Sequence, residues 1–150
     1  MEKYAARFGG IARLYGTAGL EKLRAAHVAV IGVGGVGSWT AEALARSGVG
    51  KLTLIDLDEV CVTNTNRQIH ALEEAIGKAK VDELAARISK INPECEVIPQ
   101  QQFFTEETAE SILKDGFSYV VDAIDGLSNK CLLLTECRKR KIPTITCGAA

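Results

Sequence analysis

The apolar positions of this chain change period along its length. The runs "HVAVIG" (27–32), "KLTLID" (51–56), "CEVIP" (95–99), "SYVVDA" (118–123) and "IPTITC" (142–147) are short, β-branched and almost unbroken, as strands covered on both faces are. Between them the period lengthens to that of a helix. "SWTAEALARSG" (38–48) puts Trp39, Ala43 and Leu44 at helical spacing, with Gly48 as the stop. In "AIGKAKVDELAARISKI" (75–91), Val81, Leu84, Ile88 and Ile91 follow one another at steps of three, four and three, so one face is apolar, and Pro93 ends the helix. Residues 105–114 read as a short helix opened by Thr105 and Glu106. "SNKCLLLTECRKRK" (128–141) reads as another, with Ser128 placed to cap it and Arg138, Lys139, Arg140 and Lys141 in a final turn that complements the helix dipole. Residues from 1 to about 26 are predicted to form a helical lead-in. Strands alternating with helices predict an α/β fold: a Rossmann-like, doubly wound, mainly parallel sheet with helices on both faces. Its crossovers are right-handed and its ligand crevice lies beyond the carboxyl ends of the strands.

Composition narrows this only a little. With 150 residues, the chain is one domain with enough apolar material for a core, and 18 Lys and Arg against 19 Asp and Glu leave a net charge of -1. No global field therefore recommends nucleic acid or membrane. "MEKYAARFGG" has neither the apolar run of a signal peptide nor a membrane-spanning stretch, which favours the cytoplasm. Cys61, Cys95, Cys131, Cys137 and Cys147 are odd in number and form no C-x-x-C pair, so they suggest neither a disulfide framework nor zinc and read for the most part as small buried hydrophobes. Cys147, at a strand's carboxyl end, is the one with a position of chemical interest.

The chemistry begins at Gly32-Val33-Gly34-Gly35-Val36-Gly37, which follows one predicted strand and opens a predicted helix. In that context Gly32 permits the tight turn, Gly34 admits phosphate close to backbone N–H groups, and Gly37 lets helix and strand pack closely. Asp56, at the end of the next strand, is placed to accept hydrogen bonds from ribose hydroxyls. An NAD enzyme would satisfy all of this. The stretch "NTNRQ" (64–68) argues for a more highly charged ligand: Arg67 can pair bidentately with phosphate oxygens, and Asn64, Asn66 and Gln68 supply amide donors. Lys80 can add a mobile ammonium, and Asp125, three residues after Asp122, is a hard-oxygen ligand for Mg²⁺ bridging phosphates. A triphosphate with its metal fits. No G-K-[ST] follows the glycines, so the loop is not a Walker P-loop. Taken singly, each residue has a structural reading: Lys80 solvated, Asp122 binding backbone amides, Asn64 closing an Asx-turn.

"VIGVGGVGS", "LIDLDEVCVTNTNRQ", "GKAK" and "VVDAID" together resemble the adenylating family of ubiquitin-activating enzymes and their bacterial relatives ThiF and MoeB. "RFGGIARLYG", "DEVCVTNTNRQIHAL" and "INPECEV" look most like the tRNA-modifying branch of that family. The resemblance implies ATP and Mg²⁺ as cofactors, with Gly34 and Gly35 near the phosphates, Asp56 on the ribose, Asn66, Arg67 and Lys80 on the triphosphate, and Asp125 on the metal. It implies activation of a carboxylate as its acyl-adenylate, on a tRNA carrying threonylcarbamoyladenosine, by a homodimer. Two alternatives stay open: adenylation of a ubiquitin-like sulfur-carrier protein, and NAD binding. Gly10 and Gly126 stand where MoeB-like members carry arginine and asparagine, leaving Arg7 or Arg13 as candidates to reach a partner's site. Family members also continue past the point where "TITCGAA" ends, so a C-terminal portion is expected to be missing.

Overall fold

The computed structural model describes residues 2–114 and 116–148. Five parallel strands, β1 (His27–Ile31), β2 (Lys51–Ile55), β3 (Glu96–Gln100), β4 (Tyr119–Asp122) and β5 (Thr144–Thr146), lie side by side in the order β3-β2-β1-β4-β5. The chain first winds outward through β2 and β3, then returns past β1 to β4 and β5. The order reverses beside β1, where such sheets open a crevice.

Alternation within the strands shows why both faces must be covered. Val28 and Val30 of β1 join Leu52 and Leu54 of β2 on one face, packed by α2 (Gly37–Arg46) and α3 (Lys80–Ile91) through Ala41, Ala45, Val81, Leu84 and Ile88. Ala29 and Ile31 point the other way and meet α4 (Glu106–Leu113) and α5 (Leu127–Lys139) through Ala109, Ile112, Leu133 and Cys137. The α3 face falls where its spacing put it. The α2 face does not. Trp39 and Ala43 are exposed, whereas Ser38, Ala41, Glu42 and Ala45 are buried, because small residues allow α2 to approach the sheet closely and Glu42 is paired with Arg87 of α3 and with Arg46.

Three further expectations need correction. Ser128 caps nothing: α5 starts one residue earlier, with Gly126 as its N-cap residue and no side-chain cap. Residues 76–79 precede α3 rather than opening it, since a 3-10 turn at Glu73–Ala75 and the left-handed Gly77 (φ 82) break the backbone there. Only Cys95 and Cys137 are buried, their thiols pushed up by burial, Cys95 to about 11; Cys61 and Cys131 are exposed and Cys147 is half-buried. By contrast, Thr105 does open α4, in a reciprocal capping box with Thr108.

The lead-in is α1 (Glu2–Ala25), kinked at the left-handed Gly16 (φ 75). Tyr4 donates its hydroxyl to Gly48 O at 2.5 Å and packs with Phe8 and Leu20, while Arg7 caps the far end of α3 by donating to Ile91 O at 2.9 Å. These contacts place the beginning of α1 at the amino end of the sheet, away from the crevice. Among the described residues no helix is long and apolar enough to cross a membrane.

Candidate functional site

Register brings the site's parts level. Ile31 pairs with Ile55 on one side and Asp122 on the other, so β1, β2 and β4 end together and release their loops into one space. The ladder is extended by one hydrogen bond at each neighbour, Gly32 N to Ile55 O at 2.8 Å and Ala123 N to Ile31 O at 2.9 Å. Gly32 turns there with φ 86, and a Cβ on it would lie 2.7 Å from Ala123 O. Gly37 is needed for packing: its Cβ would sit 1.8 Å from Gly32 O. Gly34 and Gly35 have no such backbone obstacle. Their open sides face the side chains of Gln68 and Arg67.

The resulting cleft, about 400 Å³, is lined by Gly32, Gly34, Gly35, Asp56, Arg67, Gln68, Lys80 and Asp125 among others. The segments after four different strands, β1 to β4, thus contribute to one cavity. Gly37 and Asn66 stand outside the lining: Gly37 packs the helix start, and Asn66 accepts a hydrogen bond from Arg67 Nη1 at 2.9 Å through Oδ1.

The side chains are held as follows. Asp56 accepts from Val33 N and from Asp58 N, both at 2.9 Å, so its carboxylate braces the glycine loop as well as facing the cleft. Asn64 lines the cleft and accepts from Cys61 N at 2.9 Å, three residues back, so it closes a capping box on the short 3-10 turn Val62–Asn64 rather than the Asx-turn its residue type suggests. Arg67 rests on Thr63 O at 3.1 Å, and among the described residues no carboxylate pairs with it. The first turn of α2 fixes this loop from behind: Trp39 donates its indole N–H to Arg67 O at 2.9 Å, and Ser38 Oγ accepts from Ile69 N at 3.3 Å. Gln68 is 6% exposed, with Oε1 buried and unpartnered. Lys80, 5% exposed, reaches Asp58 at 2.9 Å. Asp125 lies exposed on the rim of the turn after β4.

Several lining residues carried no warning in the motifs. Asp58 repeats the acid of Asp56 two positions on and could have been noticed. Gln102, Phe103 and Phe104 follow the carboxyl end of β3, where topology alone directs attention; Asn129 sits in the first turn of α5. Asp122 binds one backbone amide, Ile124 N at 3.1 Å, and also the ammonium of Lys130 at 2.7 Å. Neither Arg7 nor Arg13 lines this cleft.

Behind Lys80 lies His70, 2% exposed, with neither ring nitrogen partnered. Desolvation, reinforced by the Lys80 and Arg87 cations, lowers its pKa from 6.5 to about 4. The folded state therefore resists a proton that the unfolded chain accepts below its ordinary pKa. Stability from this source is complete above pH 6.5 and falls as pH drops toward about 4. Between about pH 7 and pH 5 the loss amounts to about 2 kcal/mol. Urea unfolding should show that step in the wild type and a much flatter response in His70→Leu; equal slopes would contradict it.

The family model described as "ThiF family" matches residues 9–150. The chain belongs to the ThiF family. This ThiF-family chain is 54% identical over 144 residues to the tRNA threonylcarbamoyladenosine dehydratase of Escherichia coli K12, covering 96% of the chain and 54% of the relative. It is 56% identical over 136 residues to the Bacillus subtilis protein of the same name, covering 90% and 54%. The chain spans a little over half the length of these relatives. In structure it superimposes on the E. coli dehydratase TcdA in complex with ATP with a TM-score of 0.96 at 52% identity, covering 97% of this chain and 60% of that one.

Proposed function

We propose that the cleft binds ATP with Mg²⁺ and that the chain is the adenylating domain of a cytoplasmic tRNA threonylcarbamoyladenosine dehydratase acting as a homodimer. The observation that carries the reading is the convergence of Arg67, Lys80 and Asp125 on one cleft above the glycine loop, in a chain nearly superimposable on a dehydratase holding ATP.

Charge supports the metal. The cleft lining carries three carboxylates, Asp56, Asp58 and Asp125, against two cations, Arg67 and Lys80. A bare triphosphate would meet a site of its own sign, whereas a nucleotide carrying a divalent cation would not. Among the described residues no group of three or more His, Cys, Asp or Glu could hold a metal unaided. Asp125 alone suits Mg²⁺, which commonly takes one or two carboxylates, keeps water and completes its shell with phosphate oxygens. Once bound there, the ion would supply charge neutralisation at those oxygens.

In the proposed reaction the threonyl carboxylate attacks the α-phosphorus of ATP and pyrophosphate leaves. An internal atom of the modified adenosine then attacks the acyl-adenylate, closes a ring and expels AMP, so the tRNA loses one water. Gly34 and Gly35 leave room for the phosphates beside the amides of α2, Arg67 and Lys80 balance charge that builds on the phosphorane oxygens, and Asp56 holds the ribose. Asn66 tethers Arg67, and Gln68 offers an amide from the buried side. Because ring closure is intramolecular, no cysteine nucleophile is required; Cys147 has its carbonyl, not its thiol, engaged by Lys130. Arg13, exposed on α1, is the better candidate to reach a partner subunit, since Arg7 is occupied at the end of α3.

Incubating threonylcarbamoylated tRNA with the protein, ATP and Mg²⁺ should yield AMP, pyrophosphate and a nucleoside lighter by one water on mass analysis. Pyrophosphate exchange that requires a ubiquitin-like protein instead of modified tRNA would replace this reading with adenylation of a sulfur carrier.

A further inference from the structure

The ion pair between α5 and the end of β4 is unusual in this chain because its carboxylate is wholly buried. Asp122 is 0% exposed and receives three donors: Lys130 Nζ at 2.7 Å, Thr146 Oγ1 at 2.5 Å and Ile124 N at 3.1 Å. Lys130 also donates to Cys147 O at 2.8 Å, tying α5 to the strand end of β5. A buried pair of this kind seldom stabilises a fold more than apolar residues of the same size would, while stripping one partner leaves a costly bare charge. Its location suggests what it does. Ile124, the backbone donor, belongs to the turn 123–126, which lines the cleft and carries Asp125.

We propose that Lys130 is a positioning residue for the site: by fixing the Asp122 carboxylate it holds the turn 123–126, and with it the Asp125 carboxylate, in place for a metal–nucleotide complex. The role rests on the nucleotide reading above. Lys130 touches neither nucleotide nor metal; it acts through Asp122 and the Ile124 amide. Loss of the ammonium takes one of three donors from the buried Asp122 carboxylate, and the turn moves with it. Arg67 hangs from another strand and stays where it is.

Two readouts separate this role from a structural one. In Lys130→Met, amide exchange at 123–126 should accelerate in the nucleotide-free chain. The gain in ATP affinity on adding Mg²⁺, measured by calorimetry, should shrink by about tenfold, the scale on which small displacements act, while ATP binding without metal changes far less. Lys130→Arg, whose guanidinium can serve the same carboxylate and carbonyl, should restore both. If Lys130→Met does not fold, Thr146→Val removes one of the three contacts on Asp122 and should show the same pair of changes at about two- to threefold. A folded Lys130→Met with either the turn protection or the Mg²⁺-dependent gain intact overturns the proposal. If the wild type binds no nucleotide while Lys130→Met still frees the turn, the nucleotide reading falls and the positioning of the turn stands.

Discussion

If the proposed function holds, replacing Arg67 by alanine should lower the rate of the proposed carboxylate adenylation by about 30- to 1000-fold, or about 2 to 4 kcal/mol of transition-state stabilisation. The size follows from its circumstances. Among the described residues Arg67 has no carboxylate partner, so its charge is not already spent inside the protein, and its contacts are to carbonyl oxygens of Thr63 and Asn66. Lys80, in contrast, is paired with Asp58 and would have to share or exchange that partner to meet the phosphate of the proposed complex. Steady-state kinetics of pyrophosphate release would decide the matter. A fall in turnover with the melting temperature unchanged is expected, since the guanidinium lies at the surface of the cleft. Undiminished turnover would remove Arg67 from the mechanism.

Gly37→Ala should act on the fold instead. Alanine is the better helix former by about 1 kcal/mol, yet its methyl would lie 1.8 Å from Gly32 O and 2.8 Å from Gly32 C, both backbone atoms that cannot rotate aside. The clash outweighs the propensity, and a net destabilisation of about 3 kcal/mol or more is expected by urea unfolding. Gly34→Ala supplies the contrast. The nearest atom to its methyl is Gln68 Nε2 at 3.7 Å, so stability should hold within about 0.5 kcal/mol. That methyl would nevertheless project where phosphate is expected, and nucleotide affinity should fall. Equal stability of the two variants would show that the glycines of this loop do not have separate tasks.

These glycines also mark how far the sequence carries. Strand–glycine loop–helix followed by an acid at the next strand end is a local pattern, and each part was readable because backbone geometry there depends on neighbours in the chain. The sheet order was foreshadowed for the same reason: each βαβ unit has one favoured hand. What escaped notice depends on contacts between distant segments. Trp39 looked like a core residue by spacing, but its indole is 54% exposed and serves Arg67 across 28 positions, because the close approach of α2 to the sheet leaves the buried face to Ala41 and Ala45. The Lys130–Asp122 pair was hidden in "SNKCLLL", where a lone lysine gives no sign that β5 will close over it. Asn66 offers an amide donor by residue type, and the fold turns that amide's oxygen to Arg67. Residue type announced polar chemistry in the loop, while direction was set only by packing.

In the proposed function, one cleft above the glycine loop takes an adenine nucleotide as its triphosphate with a divalent metal. Calorimetric titration of the chain with ATP, with and without Mg²⁺, and with NAD tests it most directly. ATP should bind more tightly when Mg²⁺ is present and NAD should fail to displace it; tight NAD binding with no response to ATP and Mg²⁺ would contradict the account.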